Sequence, residues 1–93
     1  SSLIPGHGVY AVRVRIDDQI YQGVSNLGVR PTFGKHQFCF EVHLLDNQMD
    51  LYDKVLEVQM IQRIRAEQKF KSVAELQAQI KLDIKAARGI LLP

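Results

Sequence analysis

Gly8-Val-Tyr-Ala-Val-Arg-Val-Arg-Ile16 is the stretch from which the fold can be read. Tyr10, Val12, Val14 and Ile16 recur at every second residue, and Arg13 and Arg15 fill places between them. A period of two marks a half-buried β-strand, because successive side chains leave a strand on opposite faces. Asp17-Asp18 follows as a turn and residues 20–25 resume the strand pattern, so the pair predicts a hairpin. Residues 26–35 hold Gly28, Pro31 and Gly34 and read as a surface loop, where ligand contacts tend to sit. Residues 38–45 alternate again, with Phe40, Val42 and Leu44 expected inward and Cys39, Glu41 and His43 on the other face. After a polar turn at 46–50, residues 55–64 predict a fourth strand, with Leu56, Val58, Met60, Gln62 and Ile64 on one face.

Beyond residue 70 the period changes. Ser72-Val-Ala-Glu75 is a capping box, in which the serine oxygen takes a first-turn amide and the glutamate reaches back. Val73, Leu76, Ile80, Ile84 and Ala87 then recur at steps of three and four, an apolar stripe for docking a helix. Lys85 and Arg88 suit its negative C-terminal end, and Gly89 is expected just past it. Four short strands and one C-terminal helix predict a mainly β, α+β domain: a small antiparallel barrel or curled sheet. Four strands leave open edges, so a closing strand is expected from outside these residues.

Composition bounds the function without naming it. The 93 residues suit one domain, with 46% hydrophobic and 24% charged residues. A net charge of +2 is too small and too scattered to argue for a nucleic-acid partner. Cys39 is the only cysteine, which rules out an internal disulfide and argues against a cysteine metal site. No apolar run approaches the roughly 20 residues of a membrane helix, and the chain reads as cytoplasmic with no membrane partner.

Three places carry candidate chemistry. Glu41 interrupts the apolar run Phe38-Cys-Phe-Glu-Val-His-Leu-Leu45 and is a candidate general base; the alternative is a solvent-facing glutamate on an alternating strand. His43 shares its face, but only Asp46 is loosely in range as a further ligand, and the pattern argues against a metal site. Arg63-Ile-Arg-Ala-Glu-Gln-Lys-Phe70 is basic with one aromatic, and Arg65 could present its planar fork to a phosphate or a ring edge. Residues 26–32 offer backbone donors, an arginine and a hydroxyl, yet match neither a Walker loop nor a dinucleotide fingerprint. The residues alone therefore lead to a small barrel with a polar mouth.

The order of these motifs resembles the bacterial riboflavin kinase family, usually the C-terminal module of a bifunctional riboflavin kinase and FAD synthetase. The pieces that carry the resemblance are Leu3-Ile-Pro-Gly-His-Gly-Val-Tyr-Ala11, Tyr21-Gln-Gly-Val-Ser-Asn-Leu-Gly-Val-Arg-Pro-Thr-Phe33 and Phe40-Glu-Val-His-Leu-Leu-Asp46. Asp50-Leu-Tyr52, Ile64-Arg-Ala-Glu-Gln-Lys-Phe70 and the helical Leu76, Gln79-Ile80 and Asp83 complete them. The resemblance implies a small antiparallel Greek-key β-barrel of riboflavin kinase type with a C-terminal helix, and a kinase domain over residues 1–93, making FMN from riboflavin and ATP with Mg²⁺. It implies Glu41 as the base on the ribityl 5′-hydroxyl, and Leu44, Asp46, Tyr52, Arg65, Phe70 and Ser72 at the flavin. Asn26, Gly28, Arg30 and Thr32 lie in the segment it places near the nucleotide.

The resemblance has two departures. The family's Gly-x-Pro-Thr-Ala-Asn motif, whose Thr and Asn hold Mg²⁺, has no match here, so the metal ligands are expected upstream, in a parent chain that also carries an FMN adenylyltransferase domain. On that expectation the 93 residues are N-terminally truncated and alone form little FMN. Asp53 stands where a glycine usually follows the tyrosine. The alternatives are a flavin-binding barrel without transfer and, ranked last, an OB-like oligonucleotide binder. The latter needs exposed stacked aromatics, whereas Phe38 and Phe40 are expected on the core face.

Overall fold

The computed structural model describes residues 6–92; the side chains of Arg30, Pro31 and Thr32 lie outside the described set. The elements are β1 (Gly8–Ile16), β2 (Gln19–Thr32), β3 (Lys35–Leu44), β4 (Leu56–Arg65) and α1 (Val73–Ile90). The strands form one antiparallel sheet in the order β3-β2-β1-β4. Residues 45–55 carry the chain back across the sheet, so that the fourth strand lies beside the first. That is the Greek-key order. The mainly β plan with a C-terminal helix is as expected, and among the described residues the sheet stays open at β3 and β4 rather than closing into a barrel.

β1 is central and is buried on both faces. Its even residues Tyr10, Val12, Val14 and Ile16 pack with Leu44 and, more loosely, with Tyr21, Val42, Leu51, Leu56, Val58 and Met60. On the other face Ala11 packs with Leu45, Ala87 and Leu91, which seats the helix there. The alternation in β1 therefore names the first core correctly, and Arg13 and Arg15 fall on the helix side beyond the reach of α1.

Three expectations need correction. The loop at 26–35 is not a loop: β2 continues to Thr32, and Phe33 and Gly34, both with positive φ (49° and 77°), turn it directly into β3. Two consecutive positive φ values are the mark of the tight hairpin turn that matches strand twist. Pro31 is tolerated because β1 begins at Gly8, opposite Leu27, so β2 beyond that point has a neighbour on one side only. In β4 the pairing skips Ile61 and Ile64, two bulges against β1. Each bulge reverses the alternation, which turns Ile61 and Ile64 toward the helix and leaves Gln62 exposed rather than inward. Finally, Phe38 and Phe40 are 66% and 46% exposed, because β3 is an edge strand whose first half runs past the core.

The helix begins as expected. Ser72 Oγ accepts the Glu75 N–H at 3.1 Å, and Glu75 Oε2 accepts the Lys71 N–H at 3.0 Å, one residue before the cap. Its end differs: the helix runs through Gly89 to Ile90, and Leu91 closes it by donating its N–H to the Ala87 carbonyl at 2.8 Å. Gln22 Nε2 then donates to the Leu91 carbonyl at 2.8 Å, fastening the end of the helix to β2. The stripe is buried only in its second half, at Asp83 and Ala87, with Ile84 half-buried. Leu76 and Ile80 are 38% and 41% exposed, because the first half of α1 overhangs a hollow instead of resting on the sheet.

Candidate active site

The hollow under that overhang has a volume of about 610 Å³. Its floor is one face of the sheet. Asn26 stands directly opposite Glu41, and Val24 directly opposite His43, so β2 and β3 present four side chains in two cross-strand pairs. Val9 continues the floor on β1, and Leu76, Ile80, Asp83 and Ile84 of α1 form a wall. Residues 65–70, on the way from β4 to α1, supply Arg65, Glu67, Gln68 and Phe70 at the rim. The apolar wall over a floor with a carboxylate, an amide and an imidazole suits a ligand with one flat apolar part and one polar tail.

An ion pair ties the rim of this site to the helix wall. Arg65, the last residue of β4, donates Nε to Asp83 Oδ1 at 2.8 Å and Nη2 to Oδ2 at 2.9 Å. Gln79 Nε2 adds a third bond to Asp83 at 3.0 Å, and Arg65 Nη1 reaches the Ala66 carbonyl at 3.0 Å. The guanidinium lies over the Phe70 ring, 5.7 Å from its centroid. Of the five N–H donors an arginine carries, three are thus committed inside the protein. The sequence by itself gives Asp83 no role. Its signal was an acid inside an apolar stripe, between Ile80 and Ile84, and the structure accounts for it as the counter-ion of Arg65.

The residues singled out in the sequence divide into three groups. Glu41, Asn26, Arg65 and Phe70 meet at the hollow. Leu44 is buried in the first core beside a shallower adjoining hollow, while Tyr52 is 81% exposed and its N–H is taken by Asp50 Oδ1. Ser72 is engaged as the helix cap, and Asp46 lies away from the hollow, paired with Arg88 of α1. Gly28 is on the floor strand and buried; Arg30 and Thr32 are on β2, with side chains outside the described set. Glu67 and His43 complete the lining, and sequence reading gave neither a role there. Among the described residues no group of three His, Cys, Asp or Glu side chains is arranged to hold a metal ion.

The Asp46–Arg88 pair yields a pH expectation. Arg88 Nη1 and Nη2 donate to the two carboxylate oxygens at 2.6 and 2.8 Å. These bonds hold the Asp46 carboxyl below its ordinary value, with the guanidinium charge adding and loss of solvent opposing. A depressed carboxyl favours the folded state above the unfolded pKa, and that favour is lost as pH falls through the folded one. A carboxyl-detected NMR titration should find the Asp46 midpoint below that of an unpaired aspartate and moving back up in Arg88→Ala. A midpoint indifferent to Arg88→Ala would remove the pair.

Residues 1–91 match the family described as Flavokinase, riboflavin kinase. The chain belongs to the riboflavin kinase family. Its relatives include proteins named bifunctional riboflavin kinase/FMN adenylyltransferase: that of Pseudomonas fluorescens is 47% identical over 91 residues, covering 97% of this chain and 29% of the relative. The one from Escherichia coli (strain K12) is 46% identical over 85 residues, covering 90% and 27%, and that of Bacillus subtilis (strain 168) 37% over 86 residues, covering 89% and 27%. The chain thus spans less than a third of the length of these relatives. A solved chain described as a macrolide-efflux protein from Streptococcus pneumoniae superposes with a TM-score of 0.85 at 36% identity, over 91% of this chain and 28% of that one. Efflux is said of that protein, and what carries over is the fold. Among the described residues no helix is long and apolar enough to cross a membrane. Family membership also ranks the oligonucleotide reading last, which the exposed Phe38 and Phe40 by themselves no longer do.

Proposed function

We propose that this chain is a riboflavin kinase domain, transferring the γ-phosphoryl group of ATP to the 5′-hydroxyl of riboflavin to give FMN and ADP. The observation that carries the reading is the match of residues 1–91 to that family. The hollow supports it, since Glu41 stands on its floor beside Asn26, under an apolar wall. Glu41 accepts the hydroxyl proton as the oxygen bonds to phosphorus, while the bond from phosphorus to the β-phosphate oxygen breaks and ADP leaves. Phosphoryl transfer asks a protein chiefly for positioning and for neutralising charge, so one oriented base suffices for the proton. Mg²⁺ enters with the phosphates of ATP, its usual mode of binding, and no metal ligand is assigned within the described residues.

Flavin is assigned to the Arg65–Phe70 end of the hollow; Leu44, Asp46, Tyr52 and Ser72, which the resemblance also implies at the flavin, do not line it. The nucleotide is assigned to the β2 end, with Asn26, Gly28, Arg30 and Thr32. The apolar wall and the Arg65–Phe70 stack favour a flat ring at the first of these. Residues 1–93 would form one domain of a cytoplasmic bifunctional protein whose other part adenylylates FMN. The test is chromatographic: the intact protein, given riboflavin, ATP and Mg²⁺, should convert riboflavin to FMN. Flavin bound but never phosphorylated would leave a binding module instead.

A further inference from the structure

Gly28 sits inside β2, opposite Cys39, without the positive φ that would call for glycine. Glycine in the interior of a strand weakens it, and one there often marks a close approach. Space supplies the reason. A Cβ built on Gly28 would meet the carboxylate of Glu67, with Cδ at 2.7 Å, Oε1 at 3.0 Å and Oε2 nearest of all. Glu67 belongs to residues 66–71, which cross from β4 to the helix along the rim of the hollow. That crossing is fastened to the helix at both ends, by Arg65 on Asp83 and by the Lys71 N–H on Glu75. Both anchors are on the helix side. The Glu67 carboxylate is what meets the sheet.

We infer that Gly28 is a clearance through which Glu67 seats on β2, making Glu67 a positioning residue that holds residues 66–71 across the mouth of the hollow. The inference deepens the kinase reading and rests on it only for the turnover measurements below. A side chain at position 28 displaces the flexible end of Glu67, not backbone, so Gly28→Ala folds normally and loosens the crossing.

A double-mutant cycle in the intact protein tests this: Gly28→Ala, Glu67→Ala and both together. Cleavage by trypsin after Lys69 and Lys71 under native conditions reports how often the crossing opens, and it needs no substrate. Gly28→Ala should raise that rate roughly threefold to tenfold. In the Glu67→Ala background the same change should add less than about twofold, because the space for a Cβ is then free. With riboflavin at saturating ATP, Gly28→Ala and Glu67→Ala should each raise KM several-fold and the double variant by no more than either, a loss of binding carried by the Glu67 seat. Cleavage of Gly28→Ala at the unmodified rate, or an effect that survives removal of Glu67, overturns the inference. Looser cleavage with KM unmoved overturns the positioning role. A protein that follows the cleavage cycle but transfers no phosphate upholds the seat and sinks the kinase reading.

Discussion

Glu41→Gln in the intact protein should lower riboflavin phosphorylation by roughly 10²–10⁴-fold while leaving riboflavin affinity nearly unchanged. Glutamine keeps the size of the side chain and its place on β3 opposite Asn26, so the floor of the hollow is preserved. What it loses is the ability to take a proton from the attacking hydroxyl. Without that acceptor the hydroxyl must attack still protonated or hand its proton to water. Single-turnover rates, with flavin fluorescence for affinity, separate the two effects. A variant that keeps most of its turnover would return Glu41 to the ordinary role of a solvent-facing strand residue. A variant that loses flavin binding as steeply as turnover would make Glu41 a binding contact rather than the base.

Leu91→Ala should destabilise the fold by about 2–5 kcal/mol, whereas Leu76→Ala should cost less than about 1 kcal/mol. The apolar stripe read from the sequence would put the large penalty at Leu76 and Ile80, as docking positions. The structure moves it to the other end of the helix. Leu91 is 1% exposed and packs with Ala11, Leu45 and Ala87, so truncation there empties space enclosed on every side. Leu76 lines the open hollow, where solvent or a ligand refills what is removed. Denaturant unfolding of the two variants compares them directly, and equal losses would mean that the first half of α1 is as firmly seated as the second. Leu76→Ala should instead show its effect as weaker riboflavin binding, since an apolar wall loses contact area with whatever it covers.

Much of the fold was legible because it depends on local rules. The alternation of Tyr10, Val12, Val14 and Ile16 identified the central strand and its core face, and Ser72 with Glu75 identified the start of the helix. The β2–β3 turn was missed because Gly28 and Pro31 are usually breakers. Neither broke the strand, since Gly28 answers to the Glu67 carboxylate and Pro31 lies where β2 lacks a second neighbour. The bulges at Ile61 and Ile64 were not legible either. A bulge is a mismatch between two strands, and one strand read alone carries no record of its partner's spacing.

The site divides in the same way. Glu41 could be picked out as an acid in an apolar strand, and Arg65 and Phe70 as a basic and aromatic junction, because each stands against its immediate neighbours. The chain by itself thus determined the strand and helix periods and the mainly β class, and, through the motifs that carry the resemblance, the family, its Greek-key order and the candidate base. Only the tertiary structure decided that Arg65 is paired with Asp83, that Asn26 faces Glu41, and that Asp46 turns to Arg88 instead of the hollow. Those pairings join residues 15 to 42 positions apart in sequence. Sequence periodicity states which side chains share a face. What that face meets depends on where the rest of the chain comes to lie.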